Sequence, residues 1–113
     1  MLNSVTTVAL TSALDGLALR QRTIANNVAN INTPNYQAKR VSFEDALAAS
    51  VKAGDGHVEA TIARSLEPTN VNGNNVNLDT ETISNVDTVL RFQFAAQSVG
   101  NEFNWVRAAM RTS

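Results

Sequence analysis

Cysteine is absent from this 113-residue chain. Its absence excludes disulfides, thiolate nucleophiles and zinc sites with thiolate ligands. Histidine occurs once, at His57, and a single imidazole without a cluster of neighbouring ligands is a poor metal site. We therefore expect His57 to lie in a surface loop, and we expect neither a metal ion nor a cofactor. Whatever holds this protein together is non-covalent.

An excess of charge of one sign is also lacking, because nine Lys and Arg balance ten Asp and Glu. No basic block stands out beyond Lys39-Arg40, so we expect no nucleic-acid partner. Catalysis needs a nucleophile, a base and an orienting group, yet the sequence has no glycine-rich phosphate loop and no paired carboxylates. We expect no enzyme, no catalytic residues and no small-molecule substrate.

Long apolar runs are missing too. The segment from Met1 to Leu19 has no Lys or Arg and is interrupted by polar residues, unlike a secretory signal peptide. No run approaches the roughly 20 apolar residues of a membrane span. If the protein leaves the cytoplasm, we expect a route that reads no cleaved signal. A chain of this length forms at most one domain, with marginal stability on its own.

The N-terminal third carries a seven-residue apolar repeat with one polar member, Gln21. The repeat predicts a helix from about Leu2 to Ile31, despite the cost of Gly16 within it. Pro34 disfavours helical geometry just before it, so the chain should leave the helix axis there. The positions of the repeat are Leu10, Leu14, Leu17, Gln21, Ile24, Val28 and Ile31.

The middle of the chain is less regular. Ser42 and Asp45 resemble a capping box and predict a short helix from Phe43 to Ala53. From Gly54 to Asn77 the pattern dissolves, which favours a mobile loop or a short hairpin. This segment is too poor in large apolar residues to form a second core.

The C-terminal third is periodic again and predicts a helix from about Thr80 to Arg111. Asp79 is suited to cap its first turn, with Leu78 and Ile83 placed for a hydrophobic staple. The apolar stripe consists of Val89, Phe92, Ala96, Val99, Phe103, Val106 and Met110.

The sequence thus predicts a mostly α fold in which two long terminal helices pair as a coiled-coil-like hairpin. We divide it into residues 1–36, a short helix and flexible middle at 37–77, and the C-terminal helix at 78–113. Two helices leave much of both stripes exposed, which indicates a fold completed by neighbouring subunits. The predicted subunit interface comprises Leu10, Leu14, Leu17, Ile24, Val28, Ile31, Val89, Phe92, Val99, Phe103, Val106 and Met110.

Two blocks of sequence carry a family resemblance. Residues 25–38, A-N-N-V-A-N-I-N-T-P-N-Y-Q-A, resemble the motif with which flagellar rod and hook proteins end their N-terminal helix. Residues 73–81, G-N-N-V-N-L-D-T-E, are similar to the stretch before the C-terminal helix in basal-body rod proteins of the proximal-rod type. Thr33, Pro34 and Tyr36 form the turn of this family.

Three positions depart from the family pattern. Asn35 replaces the usual Gly, Asn77 an acidic residue, and Phe92 an aromatic position often held by Tyr. Asn is the non-glycine residue that best tolerates positive φ, so a left-handed turn at Asn35 is expected to survive.

The resemblance implies a structural subunit of the flagellar basal body. Such subunits pass unfolded through the flagellar type III export gate and assemble outside the cytoplasmic membrane as a helical tube, part of the drive shaft. The implied partners are copies of the chain, other rod proteins, and basal-body ring and export-gate components. A chain without disulfides and with low stability alone suits that route.

Several residues admit two interpretations. Asn27 and Asn30 flank the N-terminal stripe, and we include them in the predicted subunit interface, where they fix register between subunits. The other interpretation is that they serve the helix end. Phe43 and Leu47 fit the F-x-x-x-Φ pattern presented to the export gate, but any amphipathic helix places such a pair on one face. Trp105 is either an intersubunit anchor or a half-buried aromatic.

Two other families share some of these features. Small secreted helical hairpins of the WXG type turn on W-x-G, whereas Trp105 is followed two positions later by Arg107. Another rod or hook protein of the axial family would insert larger β-rich domains, for which this middle is short.

Overall fold

The computed structural model describes residues 4–112, with side chains described through Arg111. It is mostly helical, and its two long terminal helices pack against each other, which confirms the predicted fold class. The helices run in opposite directions, since residue 27 meets residue 81 and residue 17 shares a cluster with residue 95. The elements are α1 Val5–Ala29, β1 Lys39–Ser42, α2 Glu44–Lys52, β2 Thr61–Arg64 and α3 Leu78–Thr112.

Helix α1 begins and ends with polar caps. Ser4 is the N-cap, and its hydroxyl accepts a hydrogen bond from the Thr7 amide at 3.1 Å. At the other end Asn30 is the C-cap, and its backbone amide donates to the carbonyl oxygen of Asn26. Asn35 has a φ of 63°, which confirms the left-handed turn expected there. The predicted helix start at Leu2 lies outside the described residues.

The predicted caps of the other two helices are wrong. The α2 N-cap is Phe43, without a side-chain hydrogen bond, because Ser42 belongs to β1 and its hydroxyl lies 3.2 Å from that of Thr61. Helix α3 begins two residues before the predicted start, and Asn77, not Asp79, accepts from the Thr80 amide at 3.2 Å.

The predicted staple is absent as well. The side chains of Leu78 and Ile83 are 51% and 71% exposed. They do not form a buried apolar pair at the start of α3.

In the middle segment β1 and β2 form a two-stranded antiparallel sheet, with α2 between them in the chain, and Val41 pairs with Ile62. The predicted hairpin within Gly54–Asn77 is wrong, because β2 pairs with β1, a strand that precedes that segment and is not predicted. The middle forms no separate core. It instead supplies four of the seven apolar residues that are buried within residues 4–111: Ala38, Val41, Phe43 and Val76.

The face of α3 that packs on α1 only partly coincides with the predicted stripe. Phe92 and Val99 are half-buried, but the most buried positions are Glu81, Thr88 and Ala95, which the stripe does not include. Rows of residues spaced by three and four lie side by side around a helix, and periodicity alone does not determine which row faces the other helix. The stripe members Ala96, Phe103 and Met110 are exposed.

None of the helices within residues 4–112 is long and apolar enough to cross a membrane.

Candidate functional site

The two sequence blocks of the family resemblance meet in one buried polar cluster. We call this cluster the junction, and define it as Asn27, Arg40, Asn74, Asn75 and Glu81. Four of these side chains are at most 3% exposed, and Arg40 closes the cluster from the surface. Every buried side-chain nitrogen or oxygen in the described part of the chain has a hydrogen-bond partner. Hydrogen bonds within the chain therefore offset the cost of burying the polar groups of the junction.

Asn27 lies at the centre of the junction, 0% exposed. Its amide group pairs with the backbone of Lys39, because Nδ2 donates to the carbonyl oxygen and Oδ1 accepts from the amide, both at 3.0 Å. Nδ2 also donates to Glu81 at 2.8 Å, and Oδ1 accepts from the Tyr36 hydroxyl at 3.3 Å. One side chain thus connects α1, β1, the family turn and α3.

The other two asparagines tie the second block to the first. Asn74 donates through Nδ2 to the carbonyl oxygens of Asn30 and Thr33, each at 2.8 Å. Asn75 accepts from the Ala38 amide at 2.6 Å. The bonds of Asn74 add a second donor to the carbonyl oxygen of the α1 C-cap, Asn30, and to that of Thr33 in the following turn. The second block therefore holds the end of α1 and the chain that leaves it.

Glu81 is a fully buried carboxylate with a cationic partner. Arg40 donates to it at 2.6 Å, and Asn27 donates from the other side. Arg40 also bonds Glu67 at 3.1 Å, and the Thr80 hydroxyl donates to Glu67 at 3.2 Å. A buried charge of this kind is tolerated when it is paired and hydrogen-bonded, and losing one partner is costly.

A second cluster surrounds Phe43, which is 4% exposed. A Cβ atom at Gly16 would lie 2.6 Å from the Phe43 ring, so only glycine lets the ring reach the α1 backbone. The Arg20 guanidinium lies 5.0 Å from the ring centroid and donates to both oxygens of Glu44, at 2.6 and 2.7 Å. These hydrogen bonds hold the pKa of Glu44 below its ordinary value and raise the pKa of Arg20.

The predicted interface residues divide by exposure. Leu17 and Ile24 are buried inside the subunit, whereas Val28, Phe103 and Met110 remain 39%, 47% and 70% exposed. The other predicted positions are half-buried: Leu10, Leu14, Ile31, Val89, Phe92, Val99 and Val106. The interface itself stays a prediction.

Asn27, predicted at the subunit interface, has its amide engaged wholly inside its own chain. Any register that it sets is between elements of one subunit. Asn30 is half-buried and stabilises the helix end, where its Oδ1 accepts from the Thr33 hydroxyl. Trp105 lies inside α3 and is 69% exposed, which excludes a turn at that position.

Sequence reasoning missed a second apolar row on α3, on the side away from α1. We call it the outer stripe: Ile83, Val86, Leu90, Phe94, Gln97, Asn101 and Trp105. Its five apolar members are between 55% and 73% exposed. The steps of three, four and four residues repeat every eleven, and Ile83, Phe94 and Trp105 lie eleven apart. That spacing is the signal that could have revealed the row, since it keeps residues on one side of a nearly straight helix.

The arrangement contains the parts of a structural subunit. Within residues 4–112 no group of three or more His, Asp or Glu side chains could hold a metal ion. The junction fixes the two terminal helices relative to each other, and the outer stripe faces solvent. Such a molecule can present helix faces to other helices.

Comparison with known proteins gives consistent relatives. A sequence model described as "Flagella basal body rod protein" matches residues 9–37. The flagellar basal body rod protein FlgB of Bacillus subtilis is 30% identical over 115 residues, covering 89% of both chains. Its namesake in Borreliella burgdorferi is 26% identical over 121 residues, covering 87% of this chain and 90% of that protein. The corresponding protein of Borrelia hermsii is 53% identical over a shorter stretch of 34 residues.

Proposed function

This chain belongs to the FlgB family of flagellar basal body rod proteins, and from that premise we propose that it is a subunit of the proximal rod. It is a structural protein of the flagellar basal body and serves motility. In our proposal the chain is exported through the flagellar type III apparatus. It then assembles into a helical tube that forms part of the drive shaft.

The observation that carries this proposal is the exposure of large apolar side chains on α3. Ile83, Leu90, Phe94 and Trp105 are each at least 61% exposed, although their helix packs along α1 on its other side. An extended apolar face of this kind usually marks an interaction surface. The molecule is also elongated, 66 by 25 by 15 Å, which suits lateral packing of helices.

Assembly partners follow from the same proposal. Copies of the chain and other rod proteins contact the exposed helix faces. Export-gate components contact the chain during export, and basal-body ring components contact the subunit at the base of the rod. The predicted interface residues that remain exposed, Val28 and Phe103 among them, contribute to these contacts.

The assembly test uses side chains that the folded subunit does not need. Leu17→Asp is unsuitable because Leu17 is 3% exposed, so a charge there unfolds the subunit itself. Phe94 is 73% exposed, and Phe94→Asp should leave the isolated chain folded while preventing its incorporation into the rod. Gln93→Asp, on the neighbouring exposed position, is the matched control.

The measurement is recovery of the chain in isolated basal bodies, together with swimming. We expect the wild type and Gln93→Asp to be recovered and motile, and Phe94→Asp to be secreted or lost and non-motile. Absence of the wild-type chain from basal bodies would contradict the rod assignment. Normal swimming of Phe94→Asp would contradict the role of the α3 surface.

The export role of Phe43 and Leu47 requires a separate experiment, because Phe43 is part of the core and Leu47 packs against it. In our proposal both side chains act at the gate in the unfolded chain and pack after assembly. Replacing both with Ala should lower secretion more than Val41→Ala, which removes a buried neighbour from the same core cluster. Equal secretion of the two variants at equal cytoplasmic levels would leave Phe43 and Leu47 with packing alone.

A further inference from the structure

The outer stripe of α3 requires a partner of suitable shape. Its side chains are large, and between Phe94 and Trp105 the outward side carries amides rather than charges: Gln97, Asn101 and Asn104. Large side chains pack most closely into a surface of small ones, because the helix axes can then approach.

The same chain exposes such a surface on α1. Its outward residues advance by four and three, and all but two of them are small. Ala18 is half-buried and the others are exposed. We call this row the α1 outer face: Thr11, Asp15, Ala18, Arg22, Ala25 and Ala29.

Charge complementarity selects the direction of pairing. Asp15 and Arg22 have no ion-pair partner within residues 4–112. On α3, Asp87 and Arg91 flank the outer stripe. They pair with each other at 2.9 Å, and Arg91 also reaches Glu44 at 3.4 Å, but their side chains are 56% and 53% exposed and stay accessible to a second, opposite charge.

An antiparallel pairing aligns these charges with their opposites. If Ala25 of one copy faces Ile83 of another, Ala18 faces Leu90 at the same time. Asp15 then lies near Arg91 and Arg22 near Asp87, with both pairs on the same side of the helix contact. Packing of one outer stripe on another would instead set large side chains against large ones.

We propose that the outer stripe of α3 packs antiparallel against the α1 outer face of a second copy of this chain. This inference rests on the proposed function and names the partner of the exposed α3 surface. The contact uses different surfaces on the two copies, so it repeats from subunit to subunit instead of closing on a pair. It continues between subunits the antiparallel α1–α3 pairing found within one.

The test exploits the absence of cysteine. Ala25→Cys and Ile83→Cys are introduced into two separate chains that carry different tags and are expressed together in cells lacking the native gene. Isolated basal bodies are then oxidised and the cross-linked products are separated. A disulfide forms only where the two Cα atoms lie within about 7 Å. We expect the product that joins residues 25 and 83 to exceed either homotypic product several-fold.

Two further variants make the result specific. Ala25→Cys combined with Trp105→Cys is out of register and should give no product. Arg22→Asp, added to the chain that carries Ala25→Cys, should lower the yield several-fold. Asp87→Arg, added to the chain that carries Ile83→Cys, should restore it.

The failures are distinguishable. A dominant product between two residues 83 would make α3 its own partner and overturn the proposal, as would the absence of cross-links when both chains are present in basal bodies. If the wild-type chain is absent from basal bodies, the rod assignment fails instead.

Discussion

The two ends of the helical hairpin are built differently. At the junction end, Asn27, Asn74 and Glu81 are 0% exposed and bonded to three separate parts of the chain. At the open end, which comprises residues 5–11 of α1 and 96–111 of α3, no residue is buried. A buried polar network holds the junction end, whereas no side chain is buried at the open end.

The difference shows which part of the fold is held by contacts within the chain and which part is not. The buried polar groups of the junction all find hydrogen-bond partners within the chain, and this network specifies one arrangement of the terminal helices. Exposed apolar side chains stabilise the protein only when another surface covers them and removes them from water. In the proposed rod, the junction fixes the arrangement of the two terminal helices in each subunit, and the open end becomes buried only on assembly.

The largest effect is expected at the centre of the junction. Asn27→Asp replaces the donor that bonds Glu81 at 2.8 Å with a second carboxylate oxygen. Repulsion between buried carboxylates and the lost bond to the Lys39 carbonyl should lower the free energy of unfolding by about 3 kcal/mol or more.

Urea unfolding measures that change. Asn26→Asp is the matched control, since Asn26 is exposed on the same helix turn, and its effect should stay within about 0.5 kcal/mol. Similar stabilities of the two variants would show that the junction does not dominate folding.

The two helical glycines compare the Phe43 cluster with the open end. A Cβ at Gly16 would lie 2.6 Å from the buried Phe43 ring, whereas a Cβ at Gly100 meets no atom within 4 Å. Gly16→Ala should destabilise by about 1–2 kcal/mol, because overpacking outweighs the gain in helix propensity. Gly100→Ala should stabilise by up to about 1 kcal/mol. Thermal unfolding of both variants gives the sign of each change in stability, and equal signs would contradict the contrast between the packed Phe43 cluster and the open end.

The smallest effect concerns the Arg20–Glu44 pair beside Phe43. Since the folded pKa of Glu44 is lowered, the pair stabilises the protein above the ordinary glutamate pKa and loses that contribution as pH falls through the folded pKa. Glu44→Gln should therefore be less stable than the wild type at pH 7, by under about 1 kcal/mol because Glu44 is partly exposed. The difference should shrink at about pH 3.

Urea unfolding at both pH values tests this. Glu59→Gln is the control, because Glu59 is exposed and has no ion-pair partner within residues 4–112; it should follow the wild type. A stability difference for Glu44→Gln that does not change with pH would contradict the role of the ion pair.

Sequence reasoning was most successful where a pattern acts locally. The apolar repeats predict both terminal helices, and Asn35 adopts the positive φ expected of the family turn. It failed at the helix caps. Asn77 caps α3 where Asp79 was predicted, and Ser42 is part of β1 and does not cap α2. A cap depends on which polar side chain the tertiary fold leaves near the helix end.

The sequence by itself determined the helices and the family, because periodicity and short motifs act within a few neighbouring residues. Only the tertiary structure decided that Asn27 pairs with Lys39 and Glu81 inside the subunit. It alone decided which of two adjacent rows of α3 faces α1, leaving Ile83 and Phe94 exposed. Those outcomes depend on contacts between residues far apart in the chain, where packing chooses among faces that local periodicity leaves equivalent.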